Sequence, residues 1–592
     1  MKPIRAFAAA LAACALPALA ADAPPPKTAE IRDSAPRDED AHRFSTLITA
    51  QQVRDLLGSE EGIDAAAAWC RAAGVTKVYV EVFRDGYQAR RESLIRAKER
   101  LAAAGLEVSG CITTTRLGKA STGWKIISCF TDEKTQAELQ SIVEYAAELF
   151  DEIMLDDFYF TDCACAECDA ARKAKTIAVG GRRFSAAGDA WEDYRCELMV
   201  RLSQERVLAP ARRVNPEAKL IIKYPQWYDR FHERGYDVAR ETAAFDRIWV
   251  GTETRDYDDA RWGGTPQYEA FFIMRWLGGI GGGKCGGGWF DPYGTTAPTY
   301  LEQARQTVLG GARESLLFCY GALLKETGPK NVELLRANRA ELLAVAGEVR
   351  RRPMTGIAAY KPPNSHPENE PRVFDFAGML GLPLAPCHEF PGDAPAAFFS
   401  LHALKDQELP RRLAAYVASN RPVIVTDGLA RRLAGVVDWK APLVRVLPVG
   451  GNPAALLALP QAEIDALRAP ALAGSARDRA AGAGRRRRGE AYADFPFLGR
   501  RRGAGEEGRG RHAFHARRNA LPDRRHRVGV GAGRHLRTRH RAGQGRAEGQ
   551  ARDQCLSGKK FHRHRRLHLP HAQGGDGGDT LLQRRPNARN RG

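Results

Sequence analysis

The run Glu152-Ile-Met-Leu-Asp-Asp-Phe-Tyr-Phe-Thr-Asp-Cys-Ala-Cys-Ala-Glu-Cys168 places an apolar strand directly before two adjacent carboxylates and a tight group of cysteines. Acidic residues at the end of a buried strand need a compensating reason, and proton transfer or nucleophilic attack is one such reason. Neighbouring side chains on a strand point to opposite faces, so one of Asp156 and Asp157 is expected to reach a pocket while the other is held by its surroundings. Asp157 is read as the functional one and Asp156 as structural. Cys163, Cys165 and Cys168 follow in a C-x-C-x-x-C spacing that brings several sulfurs to one point, as a tetrahedral metal site requires with a fourth ligand from elsewhere. Disulfides are the competing reading, although Cys163 and Cys165 are poorly placed to bridge each other.

Short apolar runs alternating with amphipathic stretches must position these groups. Strands are expected at Phe44 to Ile48, Lys77 to Val82, Glu107 to Ile112, Glu152 to Asp156, Lys219 to Tyr224, Arg247 to Gly251, Lys284 to Phe290 and Ser315 to Tyr320. Helices fit between them at Ile63 to Ala73, Arg91 to Ala104, Glu133 to Phe150, Trp191 to Arg213, Tyr236 to Ala244, Tyr268 to Leu277 and Thr299 to Gly311. This repeat predicts an α/β chain with a closed (β/α)8 TIM barrel over 44–340, an open doubly wound sheet being the alternative. A smaller α/β unit is expected over 354–470, with strands near Thr355 to Tyr360 and Val423 to Thr426 and helices near Val373 to Leu380 and Leu409 to Ser419.

Barrel chemistry lies at the carboxyl ends of the strands, where this sequence collects polar and aromatic residues. Asp157, Glu253 and Asp291 are the candidate catalytic carboxyls. Glu81, Arg84, Trp124, Lys223, Tyr224, Trp227, Arg255 and Trp289 are the candidate substrate-binding residues. Carboxylates that address hydroxyls beside indole rings that cover apolar sugar faces suggest a carbohydrate cleft. The glycine run from Gly278 to Gly283 precedes a strand instead of opening a helix, which argues for a close-packed turn over a phosphate site.

A cysteine after the third strand, an acidic pair ending the fourth and the C-x-C-x-x-C group resemble, in that order, glycoside hydrolase family 42, the β-galactosidases. The resemblance implies glycosidic-bond cleavage and a zinc site at Cys129, Cys163, Cys165 and Cys168, with Cys111 as the other candidate for the fourth ligand. It also implies that 354–470 is an amidotransferase-like (flavodoxin-like) trimerisation domain, so that the partners would be a carbohydrate and copies of the same chain. The family has an Asn-Glu pair where this chain has Asp156-Asp157 and a glutamate where it has Asp291, so galactoside specificity does not transfer. By family position Asp157 would be the acid/base opposite Asp291; in other sugar-cleaving barrels a fourth-strand aspartate is the nucleophile and a sixth-strand acid, here Glu253, the proton donor. A non-catalytic saccharide-binding barrel is the alternative from another class.

Residues 1–20 combine a basic start, an apolar stretch and Ala18-Leu19-Ala20, the pattern of a cleaved signal peptide, with 21–43 as a linker. The expected location is periplasmic or secreted; reading Leu11-Ala12-Ala13-Cys14 as a lipobox would instead tether the chain through Cys14. No later run is long and apolar enough for a transmembrane segment. From Gly474 to Gly592 there are 31 Lys and Arg against 10 Asp and Glu, and nine of the fourteen histidines, without periodicity. This tail reads as disordered and as GC-rich coding sequence translated in a shifted frame. The remainder is close to neutral, so the net charge of +19 is no argument for a nucleic-acid partner.

Overall fold

The computed structural model describes residues 41–256 and 265–483. The expected signal peptide with Cys14, the expected linker up to residue 40 and the expected tail from 484 lie outside the described residues. Eight parallel strands, β1 (Arg43–Ile48), β2 (Val75–Arg84), β3 (Glu107–Ile112), β4 (Glu152–Leu155), β5 (Lys219–Tyr224), β6 (Arg247–Gly251), β7 (Cys285–Phe290) and β8 (Glu314–Leu317), pair in sequence order. β1 pairs with both β2 and β8, which closes the barrel and excludes the open sheet. Three of the expected strands, β3, β5 and β6, have the bounds read from the sequence.

Helices start where the sequence supplies a cap. Ser59 accepts from the Gly62 N–H ahead of Glu60–Ala73, Asp132 from the Thr135 N–H ahead of Glu133–Ala147, and Thr296 closes a capping box ahead of Ala297–Leu309. Gly74 ends the first of these in the left-handed conformation (φ 74°) that glycine adopts without a Cβ penalty. The expected helix from Trp191 is a continuous run of Trp191–Leu202, a wider π-helical turn over Ser203–Leu208, and Ala209–Val214. Pro210, which lacks an N–H, sits just after the wide turn.

Inward side chains recur every second residue along each strand. The middle of the interior is a cluster of Leu47, Tyr79, Cys111, Met154, Ile221, Trp249, Trp289 and Leu316, one from each strand, with Phe318 and Cys319 beside them. One step toward the amino ends lies a charged plug. Lys77 binds Glu107 (2.8 Å) and Glu152, Arg43 binds Glu314 (2.6 Å) and Glu107, and Arg247 binds Glu152 (3.0 Å). One step toward the carboxyl ends from the middle level come Glu81, Thr113, Asp156, Lys223 and Asp291, the polar level on which chemistry can be built.

Beyond the barrel, β9 (Ile357–Tyr360), β10 (Leu384–Cys387), β11 (Ala397–Phe399), β12 (Val423–Thr426) and β13 (Val444–Leu447) form a second parallel sheet ordered β10-β9-β11-β12-β13. The helix Gln461–Ala483 crosses the boundary expected between residues 470 and 474. Among the described residues, no helix is long and apolar enough to cross a membrane.

At Gly287 on β7 a Cβ would stand 2.4 Å from the Glu314 carbonyl oxygen and 2.7 Å from the Trp249 ring. Neither neighbour is free to yield, since one is backbone and the other fills the barrel. Gly287→Ala is therefore expected to lower unfolding free energy by roughly 1–3 kcal/mol in urea titration; an unchanged midpoint would contradict this packing.

Candidate active site

Lys223 stands at the centre of the carboxyl-end level. Its Nζ donates to Asp157 Oδ2 (2.7 Å) and Glu253 Oε1 (2.9 Å) and lies 3.6 Å from Asp156 Oδ1. Beneath it the Trp289 ring takes the same ammonium on its face, 4.1 Å from the centroid, and stacks in turn on Phe318. Burial alone would discharge this lysine, but the three carboxylates outweigh burial and raise its pKa above the ordinary value. Alternation on β5 aims Lys223 inward and Tyr224 outward. Tyr224, expected at the site from sequence, is fully buried on the helix side, where its hydroxyl meets Thr242 (3.1 Å).

The two adjacent aspartates have different surroundings. Strand β4 ends at Leu155, so strict alternation no longer separates them and both carboxyls reach Lys223. Asp156 also accepts from Arg84 (2.9 Å), Thr113 Oγ1 (2.9 Å) and the Asp157 N–H (2.7 Å). Burial opposes its charge, yet Lys223 and Arg84 prevail and hold the carboxyl below the usual range. Asp157 has fewer donors, with a backbone carbonyl fixed by Tyr236 OH (2.8 Å) and a side chain 15% exposed. Burial, with Asp156 and Glu253 adding to it and Lys223 opposing, raises its pKa well above the ordinary value.

Glu253 is buried, and its Oε2 has no hydrogen-bond partner. Burial raises its pKa too, against Lys223 and Arg255, both of which favour its charge. Arg255 forks onto Asp291 through Nε (3.1 Å) and a terminal nitrogen (2.8 Å). Its backbone is held in the left-handed region (φ 55°), with the N–H on Gln303 Oε1 (3.1 Å). Glu81 and Arg84 form a further buried pair, 2.8 Å apart, and Thr113 donates to Glu81 (2.5 Å).

Trp124 and Trp227 are half-buried at the two ends of an aromatic wall. Trp124 lies 5.6 Å from Phe158, and Trp227 lies 5.4 Å from Phe160 and 5.7 Å from Tyr236. The structure thus brings Asp157, Glu253, Asp291, Glu81, Arg84, Lys223, Arg255 and Trp289 into one network, with both tryptophans on its flank. Thr113, Tyr236 and Gln303 belong to it as well, and the sequence reading did not find them. Thr113 was accessible from register, two residues beyond the inward Cys111; Tyr236 and Gln303 join only through tertiary contacts.

The cysteine group sits beside this wall. Cys129 Sγ is 3.8 Å from Cys165 and 3.6 Å from Cys168, Cys165 is 3.5 Å from Cys168, and all four sulfurs including Cys163 lie within 4.8 Å of one another. A tetrahedral zinc shell with bonds of about 2.3 Å spaces sulfurs about 3.8 Å apart, whereas a disulfide needs about 2.05 Å. Cys111 faces the barrel interior and cannot complete this set. Asp162, next to Cys163, accepts from Ser121 (2.5 Å) and from the Trp124 N–H (2.8 Å), so the cysteine loop carries the tryptophan loop with it.

The opposite shifts of the aspartates set the sign of a stability test. Asp156, held below its unfolded value of about 3.9, stabilises the fold at neutral pH, and this is lost as pH falls through its folded pKa. Asp157, held above that value, opposes folding as pH rises past it. Asp156→Asn is expected to cost on the order of 3 kcal/mol at pH 7, shrinking toward pH 3, while Asp157→Asn costs nothing or stabilises at pH 7. Equal losses for both in pH-dependent urea unfolding would contradict the assignment.

A curated relative, an uncharacterized protein of Saccharolobus solfataricus, is 27% identical over 366 residues, 58% of this chain and 59% of that one. The chain therefore spans less than two thirds of that relative's length. Solved structures of similar shape include alpha-L-fucosidase isoenzyme 2 from Paenibacillus thiaminolyticus, at 11% identity, TM-score 0.49, and 67% and 66% of the two chains. Gan42B, a GH42 beta-galactosidase from G. stearothermophilus, gives 12% identity, TM-score 0.44, and 65% and 71%. A family described as "Probable glycosyl hydrolase, catalytic domain" matches residues 31–337, the barrel with its carboxylates, and with more than half of the sequence inside that match this chain belongs to the family.

Proposed function

We propose that this protein is an exported glycoside hydrolase that works with retention of configuration, using Asp157 as acid/base and Glu253 as nucleophile. The observation that carries this reading is the single ammonium of Lys223 shared between the two carboxyls. Bonds of 2.7 and 2.9 Å to one nitrogen hold the accepting oxygens no more than about 6 Å apart, nearer the roughly 5.5 Å of retaining pairs than the 6.5–9.5 Å that leaves room for water in inverting ones. Roles follow from the neighbours. Asp157, whose carboxyl is held well above the ordinary value by burial, Asp156 and Glu253 against Lys223, suits the proton donor; Glu253, raised by burial and Asp291 against Lys223 and Arg255, suits the nucleophile. Asp291 is committed to the Arg255 fork and serves to position that guanidinium beside Glu253.

In the first step Glu253 bonds to the anomeric carbon while Asp157 gives its proton to the departing glycosidic oxygen. In the second, Asp157 takes a proton from water as the water oxygen bonds to that carbon and Glu253 leaves. Trp124 and Trp227 offer ring faces to a sugar. The cysteines support a structural zinc: Cys129, Cys163, Cys165 and Cys168 would hold it with four thiolates, and a metal there would brace the loops of Trp124 and Asp157. The cysteine order and the second sheet, whose strands follow the 2-1-3-4-5 order of flavodoxin-like folds, support kinship with family 42 and a self-associating second domain, read as trimer-forming.

Two variants test the roles. Asp157→Asn is expected to lose about 10²–10⁴ in kcat on ordinary glycosides but far less on aryl glycosides whose leaving group needs no proton. Glu253→Gln should be inactive on both and regain turnover with azide on the activated substrate. Binding of sugars without turnover in the parent protein would instead favour a saccharide-binding barrel. For the cysteines, Cys165→Ser is expected to lose stoichiometric zinc and raise KM more than it lowers kcat; metal analysis showing no zinc in the parent would overturn the assignment.

A further inference from the structure

On the side of the barrel that meets the second sheet, three metal-ligating side chains converge from distant parts of the sequence. Glu192 opens the helix Trp191–Leu202, His232 lies in the turn His232–Arg234 after β5, and His366 comes from the segment between β9 and the helix Val373–Met379. Their donor atoms all fall within 4.8 Å of one another. His232 Nε2 stands 3.0 Å from His366 Nε2, which is 3.3 Å from Glu192 Oε1. Donors around a tetrahedral ion with bonds of about 2.1 Å lie about 3.4 Å apart, so two edges of such a shell are already formed.

The contact between the imidazoles is itself unusual. His232 Nε2 lies within hydrogen-bond distance of both ring nitrogens of His366, Nδ1 (3.2 Å) and Nε2 (3.0 Å), a contact between two nitrogens that a shared cation would also satisfy. His232 is 3% exposed, so this nitrogen is buried against another nitrogen. Glu233 Oε1 lies 3.5 Å from His366 Nδ1, where a second carboxylate orients a metal-binding imidazole by accepting its other N–H.

We propose that Glu192, His232 and His366 bind a divalent first-row transition metal, zinc by the nature of the donor set, with Glu233 orienting His366 and a fourth position open to water. The metal clasps the barrel to the second sheet. It joins an interface already tied by His402, which bridges Ser365 (2.9 Å) and Asp229 (2.9 Å). Three protein ligands and partial exposure make this site weaker and more exchangeable than four buried thiolates.

The test compares zinc content and zinc-dependent melting of the full chain with His366→Ala, Glu192→Gln and the control His388→Ala. The nine tail histidines contribute equally to all four, so the differences between proteins are decisive. His366→Ala and Glu192→Gln are each expected to hold one equivalent less after gel filtration and to lose the rise in Tm on adding zinc, while His388→Ala matches the parent. Should His366→Ala fail to fold, Glu192→Gln alone decides. Equal zinc content and equal melting in the parent and the folded ligand variants would overturn the proposal, leaving His366 as an imidazolium between two glutamates.

Discussion

The buried ammonium of Lys223 is the interaction on which the carboxyl end of this barrel depends. It stands on the face of Trp289 and within reach of Asp156, Asp157 and Glu253. An ion so placed is costly to desolvate, and the charge of Asp156 is the compensation it can least lose. The same arrangement gives the two carboxyls unequal claims on one proton. Arg84 and Arg255 flank the pair, the first bound to Asp156 and the second to Asp291.

That arrangement is possible because the barrel separates its charges into levels. The plug of Lys77, Arg43 and their glutamates fills the amino end, and an apolar cluster with one residue from each strand separates it from the carboxyl-end network around Lys223. Trp249 presses on Gly286 and Gly287 of β7, and Thr307 and Thr252 press on Gly288, so this strand runs through three consecutive glycines. Above it, the cysteine loop and Asp162 fix the loop of Trp124, and the turns after β5 carry Trp227 while engaging the second sheet through Asp229 and His232. The walls of the cleft are thus braced from two sides.

The eight barrel strands were legible because each is a short apolar run bounded by turn residues, and the inward register follows from period two once one residue is placed. That register assigns Lys223 to the site and excludes Tyr224, a distinction the expectation from composition at strand ends did not draw. It fails at Asp156 and Asp157 because the strand has ended before them. The second sheet was only half legible: β9 and β12 are apolar throughout or nearly so, whereas β10 contains Pro386, β11 has only three residues and β13 is interrupted by Arg445. The pairing of His232 with His366, separated by 134 positions, exists only through the docking of the two sheets.

The most direct test of the central claim is the pH dependence of kcat/KM for Lys223→Met beside the parent. If the ammonium holds the pair in its working charge state, its loss raises the pKa values of both Asp157 and Glu253. The acid limb should then move to higher pH by a unit or more as turnover falls by orders of magnitude. A variant that keeps the parent's limbs and most of its rate would show that Lys223 is only structural, and the account of the site would fail with it.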